Sequence, residues 1–451
     1  MIPAHIFREY DIRGVADRDM PDSLIVDLGR AVGTFWRREG ARRVALGRDC
    51  RLSSPRLHQA LLTGLLESGL LIVDIGVVPT PMMYFTVFDL DLDGGVQITG
   101  SHNPPEDNGF KLMKGKGSLF GGDIQTLRVM IEQRDFDEHP GGRVEEHDPL
   151  TSYLGFVRGN IKLARRDLRV AIDAGNGAGG PTALAAFRAA GIEPIALLCT
   201  MDGHFPTHHP DPSMPENLEL LRRTVLENGL DLGIAYDGDA DRIGVIDANG
   251  DTIWGDKLVI VLSRAILARH PGAAIISEVK CSQTMYDDIA AHGGRPIMWR
   301  TGHSLIKKKM KEEAALLAGE MSGHMFFADR FFGFDDAIYA SLRLLEILAE
   351  ADAPLASLLA DVPKTYATPE LRVECADDVK FGIVQRVLDH YRPTHEVIDV
   401  DGARIKFSGG WGLVRASNTQ PVLVLRFEAD SEQRLSHIRR EVEDVVRGLS
   451  A

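Results

Sequence analysis

The run Gly95-Val96-Gln97-Ile98-Thr99-Gly100-Ser101-His102-Asn103-Pro104-Pro105 decides how the rest of the chain is read. It opens as a short apolar strand. Gly100 then frees the backbone, and Ser101 sits at the turn with its hydroxyl projecting. Pro104 and Pro105 stiffen the exit and block direct continuation into a helix or strand. A hydroxyl on a loop beyond a strand end is where α/β enzymes place reactive groups. Taken alone, the stretch also reads as a surface turn. The surrounding sequence separates the two readings.

Upstream, Val44-Ala45-Leu46-Gly47-Arg48-Asp49 reads as a strand, residues 55–68 as a helix ending at Gly69, and residues 71–75 as a second strand. Val96-Gln97-Ile98 is the third strand and delivers the Ser101 loop. The order recurs. A second copy runs Val170-Ala171-Ile172-Asp173, a helix over 181–190 stopped by Gly191, a strand over 194–198, then Leu232-Gly233-Ile234-Ala235-Tyr236. That last strand delivers Asp237-Gly238-Asp239-Ala240-Asp241-Arg242. A third copy runs Ala274-Ile275-Ile276-Ser277, a helix over 283–291, Pro296-Ile297-Met298-Trp299, then Leu316-Leu317-Ala318. It delivers Gly319-Glu320-Met321-Ser322-Gly323-His324. Each copy places a polar loop after the equivalent strand, so the three loops can converge only on a shared cleft.

Beyond about residue 363 the pattern changes to segments of antiparallel type, such as residues 371–373, 402–407 and 422–427, and a final helix over 431–449. This part carries Arg415-Ala416-Ser417-Asn418-Thr419-Gln420-Pro421. The prediction is an α/β chain. Three similar α/β domains with mixed, largely parallel sheets flanked by helices (residues 1–147, 148–251 and 252–362) and a smaller C-terminal α+β domain (363–451) surround a central cleft.

Asp237, Asp239 and Asp241 alternate with small residues, which aims three carboxylates at one point, as hard divalent cations require. A calcium EF-hand does not fit, because Arg242 stands where that loop needs Gly and Ala248 where it needs Glu. Three oxygens with room left for substrate suit Mg²⁺. Arg415, Ser417, Asn418 and Thr419 offer a guanidinium fork, hydroxyls and an amide, the makings of a phosphate clamp. Glu320 and Ser322 suit sugar hydroxyls, and His324 suits proton transfer.

Two other patterns are weighed against these. Gly175-Asn176-Gly177-Ala178-Gly179-Gly180 matches a dinucleotide-binding turn between strand and helix, which would make the chain a nicotinamide oxidoreductase. Tight strand–helix packing explains the same glycines. His204, His208, His209 and Asp211 have zinc-like spacing, but Pro206, Pro210 and Pro212 point to an ordered loop. Lys307-Lys308-Lys309 reads as a solvated helix face, and His303 before it as a ligand contact.

Composition sets outer limits. The chain has 451 residues, too many for one core. A net charge of −14 speaks against nucleic acid and anionic membranes as partners. The four cysteines form no close pair, which suggests neither a disulfide framework nor a zinc ribbon. The start of the chain lacks an apolar signal core, and no apolar run reaches membrane length. The expectation is a cytoplasmic protein, a monomer or small homo-oligomer.

With the four loops in hand, the chain resembles the α-D-phosphohexomutases, most of all their bacterial phosphomannomutase/phosphoglucomutase branch. The resemblance runs from Tyr10-Asp11-Ile12-Arg13-Gly14 to Pro421 and rests on TGSHNPP, DGDADR, GEMSGH and RASNT together. It implies that Ser101 is the phosphoserine and that Asp237, Asp239 and Asp241, with Ser101, bind Mg²⁺. It implies a catalytic set of Ser101, His102, Lys111, Arg242 and His324. Tyr10, Arg13, Lys280, His303, Glu320 and Ser322 would contact substrate, and Arg415, Ser417, Asn418 and Thr419 would hold the non-reacting phosphate. Met321 within Glu-Met-Ser favours the dual mannose/glucose branch. The expected reaction is reversible phosphoryl transfer between O1 and O6 of hexose phosphates, through phosphoserine and a hexose 1,6-bisphosphate that also serves as activator (glucose 1,6-bisphosphate). A phosphoglucosamine mutase and a non-catalytic phosphosugar-binding protein are the alternatives.

Overall fold

A computed structural model describes residues 3–418 and 420–450. Its four sheets follow one another along the chain. In the first, the strand Gly94–Ile98 lies between Arg43–Arg48, parallel to it, and Asp107–Lys114, antiparallel to it. Leu71–Val77 pairs in parallel on the far side of Arg43–Arg48. The second sheet repeats this order. Leu232–Tyr236 lies between Val170–Asp173, parallel, and Ile243–Asp247, antiparallel, with Ile195–Leu197 beyond. The third repeats it again, with Leu317–Gly319 between Ala274–Glu278 and Met325–Phe327, and Arg295–Trp299 beyond.

The antiparallel return strand is the element absent from the sequence reading. Ile243–Asp247 and Met325–Phe327 are buried throughout and show no alternation of apolar and polar positions. The consequence is local. The Ser101, Asp237–Arg242 and Glu320–His324 loops are reversals of tight hairpins, so each is pinned by strand pairing at both ends. The second sheet also gains Thr252–Ile253 at its edge. It therefore extends past residue 251, where the sequence reading began the third domain.

The fourth sheet is antiparallel, with Gly410–Ala416 between Ala403–Phe407 and Val422–Ala429. The helices Lys380–Tyr391 and Glu432–Ser450 complete this domain. Arg415 lies on a strand opposite Val424 rather than in a loop.

One continuous apolar core runs through the first three domains, from Met82 and Phe85 through Tyr153 and Ile234 to Val259 and Leu342. Phe85, Phe156 and Phe332 pack edge to face and tilted where those domains meet, with ring centroids 5.5–6.1 Å apart. Among the described residues no helix is long and apolar enough to cross a membrane.

Candidate active site

Ser101 takes a left-handed backbone conformation, φ +49°, which is uncommon for a residue with a Cβ. Its N–H donates to Thr99 Oγ1 at 2.8 Å, and its own Oγ donates to Asp237 Oδ2 at 2.7 Å. The Asp237–Arg242 loop comes this close because Gly238 lacks a side chain: a Cβ there would lie 2.4 Å from the Ser101 carbonyl oxygen.

Asp237, Asp239 and Asp241 are fully buried, and each offers an oxygen within 4.8 Å of the others. Asp237 Oδ1 accepts the N–H groups of Asp241 and Arg242, both at 3.1 Å. Lys111 Nζ donates to Asp239 Oδ2 at 2.7 Å and to Asp241 Oδ2. Thr80 Oγ1 also donates to Asp239. Burial, then the charges of Asp239 and Asp241, push the Asp237 carboxyl well above the usual range. Burial works the same way on Asp239, but Lys111 overcomes it and holds that carboxyl low. Burial opposes the Lys111 charge too, and Asp239 and Asp241 more than restore it.

The metal-fit question turns on two atoms. Asp239 Oδ1 and Asp241 Oδ1 are buried and accept no hydrogen bond. Buried carboxylate oxygens without partners are costly, and convergent ones are hard ligands in waiting. The donor set is all oxygen and fits Mg²⁺.

Arg242 Nε donates to His324 Nε2 at 3.0 Å. That bond leaves the ring proton on Nδ1, 3.0 Å from Asp335 Oδ2 and 3.5 Å from Asp241 Oδ1. His303 stacks on His324 at a centroid distance of 5.7 Å. Burial, then Lys307, push the His303 pKa well down. Glu320 Oε1 accepts the Gly302 N–H at 2.8 Å, and burial raises its carboxyl. Ser322 is half-buried in the turn beside it.

At the fourth domain, Arg415 Nε donates to Asp401 Oδ2 at 3.0 Å, and the same oxygen accepts the Thr301 N–H at 3.0 Å. Lys280 Nζ pairs with Glu370 Oε2 at 3.1 Å. Asn418 Nδ2 donates to the Tyr10 hydroxyl at 2.7 Å, which donates on to the Thr301 carbonyl at 2.9 Å. Ser417 is buried, with its carbonyl held by Lys380 Nζ. Thr419 lies outside the described residues. Arg13 Nη1 reaches Asn103 Oδ1 at 3.0 Å, beside Ser101. His102 pairs with Asp211 at 2.9 Å, and burial with the nearby Arg242 charge lowers its pKa to about 3. This ring braces the first domain against the second.

The competing motifs resolve on geometry. A Cβ at Gly177 would lie 2.6 Å from the Gly238 carbonyl oxygen, and one at Gly179 2.5 Å from Ala240 Cβ. The glycine run is spent on packing against the Asp237–Arg242 loop. His208 turns to Asp173 and His209 to the His102 carbonyl, so the zinc-like set does not converge. The lysine run is no solvated face. Lys307 is only partly exposed and pairs with Asp335 at 3.1 Å, and Lys309 lies 4.5 Å from the Trp299 ring centroid; only Lys308 is exposed.

Four family models cover the chain in order. They are phosphoglucomutase/phosphomannomutase alpha/beta/alpha domain I over residues 4–138, domain II over 151–250, domain III over 254–366, and the C-terminal domain over 370–445. A phosphomannomutase/phosphoglucomutase of Pseudomonas putida is 45% identical over 97% of this chain and 94% of its own length. The chain belongs to the phosphoglucomutase/phosphomannomutase family. A Neisseria gonorrhoeae phosphoglucomutase is 42% identical over 99% of this chain and 97% of its own. A family member from Burkholderia thailandensis has the same fold, with a TM-score of 0.94 at 40% identity over 100% of this chain and 98% of its own.

Sequence reasoning missed Thr80, Asp335, Lys307 and Asp401. Thr80, Asp335 and Asp401 stand in segments with no distinctive pattern, and Lys307 is misread as part of a solvated face.

Proposed function

We propose that this chain interconverts the 1- and 6-phosphates of mannose and of glucose, passing the phosphoryl group through Ser101 and a hexose 1,6-bisphosphate. The observation that carries the reading is Ser101 Oγ, 2.7 Å from Asp237 Oδ2 beside a buried carboxylate triad. Phospho-Ser101 gives its phosphoryl group to the free hydroxyl of a hexose phosphate. The P–Oγ bond breaks, a P–O bond to the sugar forms, and the hydroxyl proton goes to a base. His324 suits that task once substrate displaces the Arg242 Nε–H that its Nε2 accepts in this structure, with Asp335 facing the opposite ring nitrogen. The bisphosphate then turns end over end and returns its other phosphate to Ser101.

Asp237, Asp239, Asp241 and phospho-Ser101 would hold Mg²⁺. When bound, the ion neutralises charge on the transferring group. Glu320 and Ser322 read the sugar hydroxyls, while Tyr10, Arg13 and His303 line the path between. Arg415, Ser417, Asn418 and Thr419, with Lys280 nearby, hold the distal phosphate in either orientation. Most of the catalysis is positioning. Met321 and the names of the relatives support mannose and glucose over glucosamine.

The test is a coupled assay with mannose 1-phosphate, glucose 1-phosphate and glucosamine 1-phosphate, with glucose 1,6-bisphosphate as activator. The first two should turn over, need the activator for full rate, and stop on complete chelation. Intact-mass and peptide analysis should place one phosphate on Ser101. Preference for glucosamine 1-phosphate overturns the sugar assignment. Activity that survives chelation overturns the metal. No turnover with any sugar leaves a binding protein.

A further inference from the structure

Arg51 is used by none of the roles above, yet its side chain is completely buried. It stands in the turn before the helix Ser54–Glu67, and its guanidinium faces the Ser101 loop. Nη2 donates to the carbonyl oxygens of Ser101 at 2.8 Å and Asn103 at 2.6 Å. Nη1 donates to those of Asp107 at 2.9 Å and Pro104. The remaining carbonyls of the turn are also taken, Gly100 by the Asn103 N–H and His102 by His209 Nε2. Every carbonyl from Gly100 to Pro104 is thus engaged within the protein.

The fork is itself clamped. Asp49 Oδ2 lies 3.3 Å from Arg51 Nε and accepts the Gly100 N–H at 3.2 Å. Asp49 Oδ1 accepts the Arg51 N–H at 3.0 Å and the Ser54 hydroxyl. A Cβ at Gly100 would lie 2.4 Å from Arg51 Nε, so this glycine is required by the guanidinium rather than by the turn alone. From the second domain, the Phe205 ring covers the guanidinium at 5.2 Å.

We propose that Arg51 is a positioning residue for phosphoryl transfer. It holds Ser101 in its left-handed conformation and keeps the loop carbonyl dipoles turned away from the phosphoryl group. A dianionic phosphoryl group beside free carbonyl oxygens is repelled, so a loop that carries one must point those oxygens elsewhere. A planar fork with parallel N–H groups can gather several carbonyls at fixed angles, which the point charge of Lys cannot. This rests on Ser101 being the phosphorylated residue.

The test uses Arg51→Lys, Arg51→Gln and Gly100→Ala in the full chain, well below each variant's melting temperature. Gly100→Ala leaves Arg51 in place and displaces its fork, so it carries the test if the Arg51 variants fail to fold. Each variant is phosphorylated with glucose 1,6-bisphosphate, the phosphorylated fraction is measured by intact mass, and kcat is expressed per phosphorylated enzyme. The expected result is a loss of about 100-fold in kcat, with KM for glucose 1-phosphate within about 3-fold of the parent. The ³¹P resonance of phospho-Ser101 should shift or broaden. A lowered melting temperature with kcat within about 3-fold and an unchanged resonance would make Arg51 purely structural and overturn the inference. If the parent's phosphate maps to a residue other than Ser101, the proposed function fails instead, and the two failures are distinct.

Discussion

The two ends of the cleft are built differently. At the Ser101 end, the first and second domains meet backbone to backbone. The Thr80 N–H donates to the Asp239 carbonyl at 2.9 Å, a Cβ at Gly203 would lie 2.5 Å from the Cys50 carbonyl oxygen, and both domains share one apolar core. At the Arg415 end, the fourth domain keeps a core of its own. It meets the third through a small cluster of Val279, Trp411 and Leu413 and through long polar side chains. Arg404 is the largest of these. It is buried, donates to the carbonyls of Val279 at 2.7 Å and Cys281 at 3.0 Å, and stacks 3.9 Å from the Trp411 ring centroid. Backbone packing has no slack, whereas side-chain bridges re-form at low cost. On the proposed function, the Ser101 end must hold one geometry, and the Arg415 end must accept a phosphate from either orientation of the sugar.

The largest effect expected is Ser101→Ala, which removes the proposed phosphoryl carrier. Turnover should fall by on the order of 10⁴-fold or more, and incorporation of phosphate from glucose 1,6-bisphosphate should vanish. Residual phosphate on the variant protein would break the comparison at its rigid end.

Arg415→Ala acts at the other end. It should lower kcat/KM by roughly 30- to 1000-fold, through KM, and equally for the 1- and 6-phosphates. Metal affinity, read by titration calorimetry, should not change. A loss confined to one substrate would show that this clamp does not serve both orientations.

Gly238→Ala tests backbone packing without touching a chemical group. The new Cβ must push the Asp237–Arg242 loop from the Ser101 carbonyl, 2.4 Å away. We expect kcat to drop by about 30-fold with KM nearly unchanged, the reverse of the Arg415 pattern. A normal kcat would show that the reacting end has more slack than its packing implies.

The smallest effect is expected for Glu370→Gln. Lys280 lowers the Glu370 carboxyl to about 2, and that pair bridges the third and fourth domains. A depressed folded pKa means that the unfolded or undocked carboxyl binds more protons, so the contribution is present above the ordinary carboxylate range and lost as pH falls through about 2. At pH 7 the variant should dock the fourth domain more weakly by about 1 kcal/mol. Exchange protection of residues 366–374, taken relative to the intrinsic rate at each pH, should fall between pH 4.5 and 2 in the parent and stay flat in the variant. Parallel curves would show that this pair does not hold the fourth domain to the third.

The strand–helix order of each repeat was readable because period, glycine stops and apolar runs are written in consecutive residues. All four loops were readable for the same reason. Asp237, Asp239 and Asp241 sit within one turn, and their mutual repulsion alone argues for a cation. Arg415 was placed in a loop because its strand, Gly410–Ala416, begins Gly-Trp-Gly and carries a charge near its end. The lysine run misled because charge in sequence normally means solvent; Asp335 beneath Lys307 was out of view.

The sequence by itself determined the domain plan, the chemical type of each loop and their equivalence along the repeats, since these depend on local backbone preference and local charge. Only the tertiary structure decided which lone residues complete the site. Thr80 meets Asp239, Arg51 meets the Ser101 carbonyls, Asp401 meets Arg415 and Asp335 meets His324. It also decided that glycines 177 and 179 make room for the Asp237–Arg242 loop rather than for a nucleotide. These pairings join residues from different hairpins and domains. A single buried polar side chain carries no periodicity, and its meaning appears only when folding removes water and leaves it one partner.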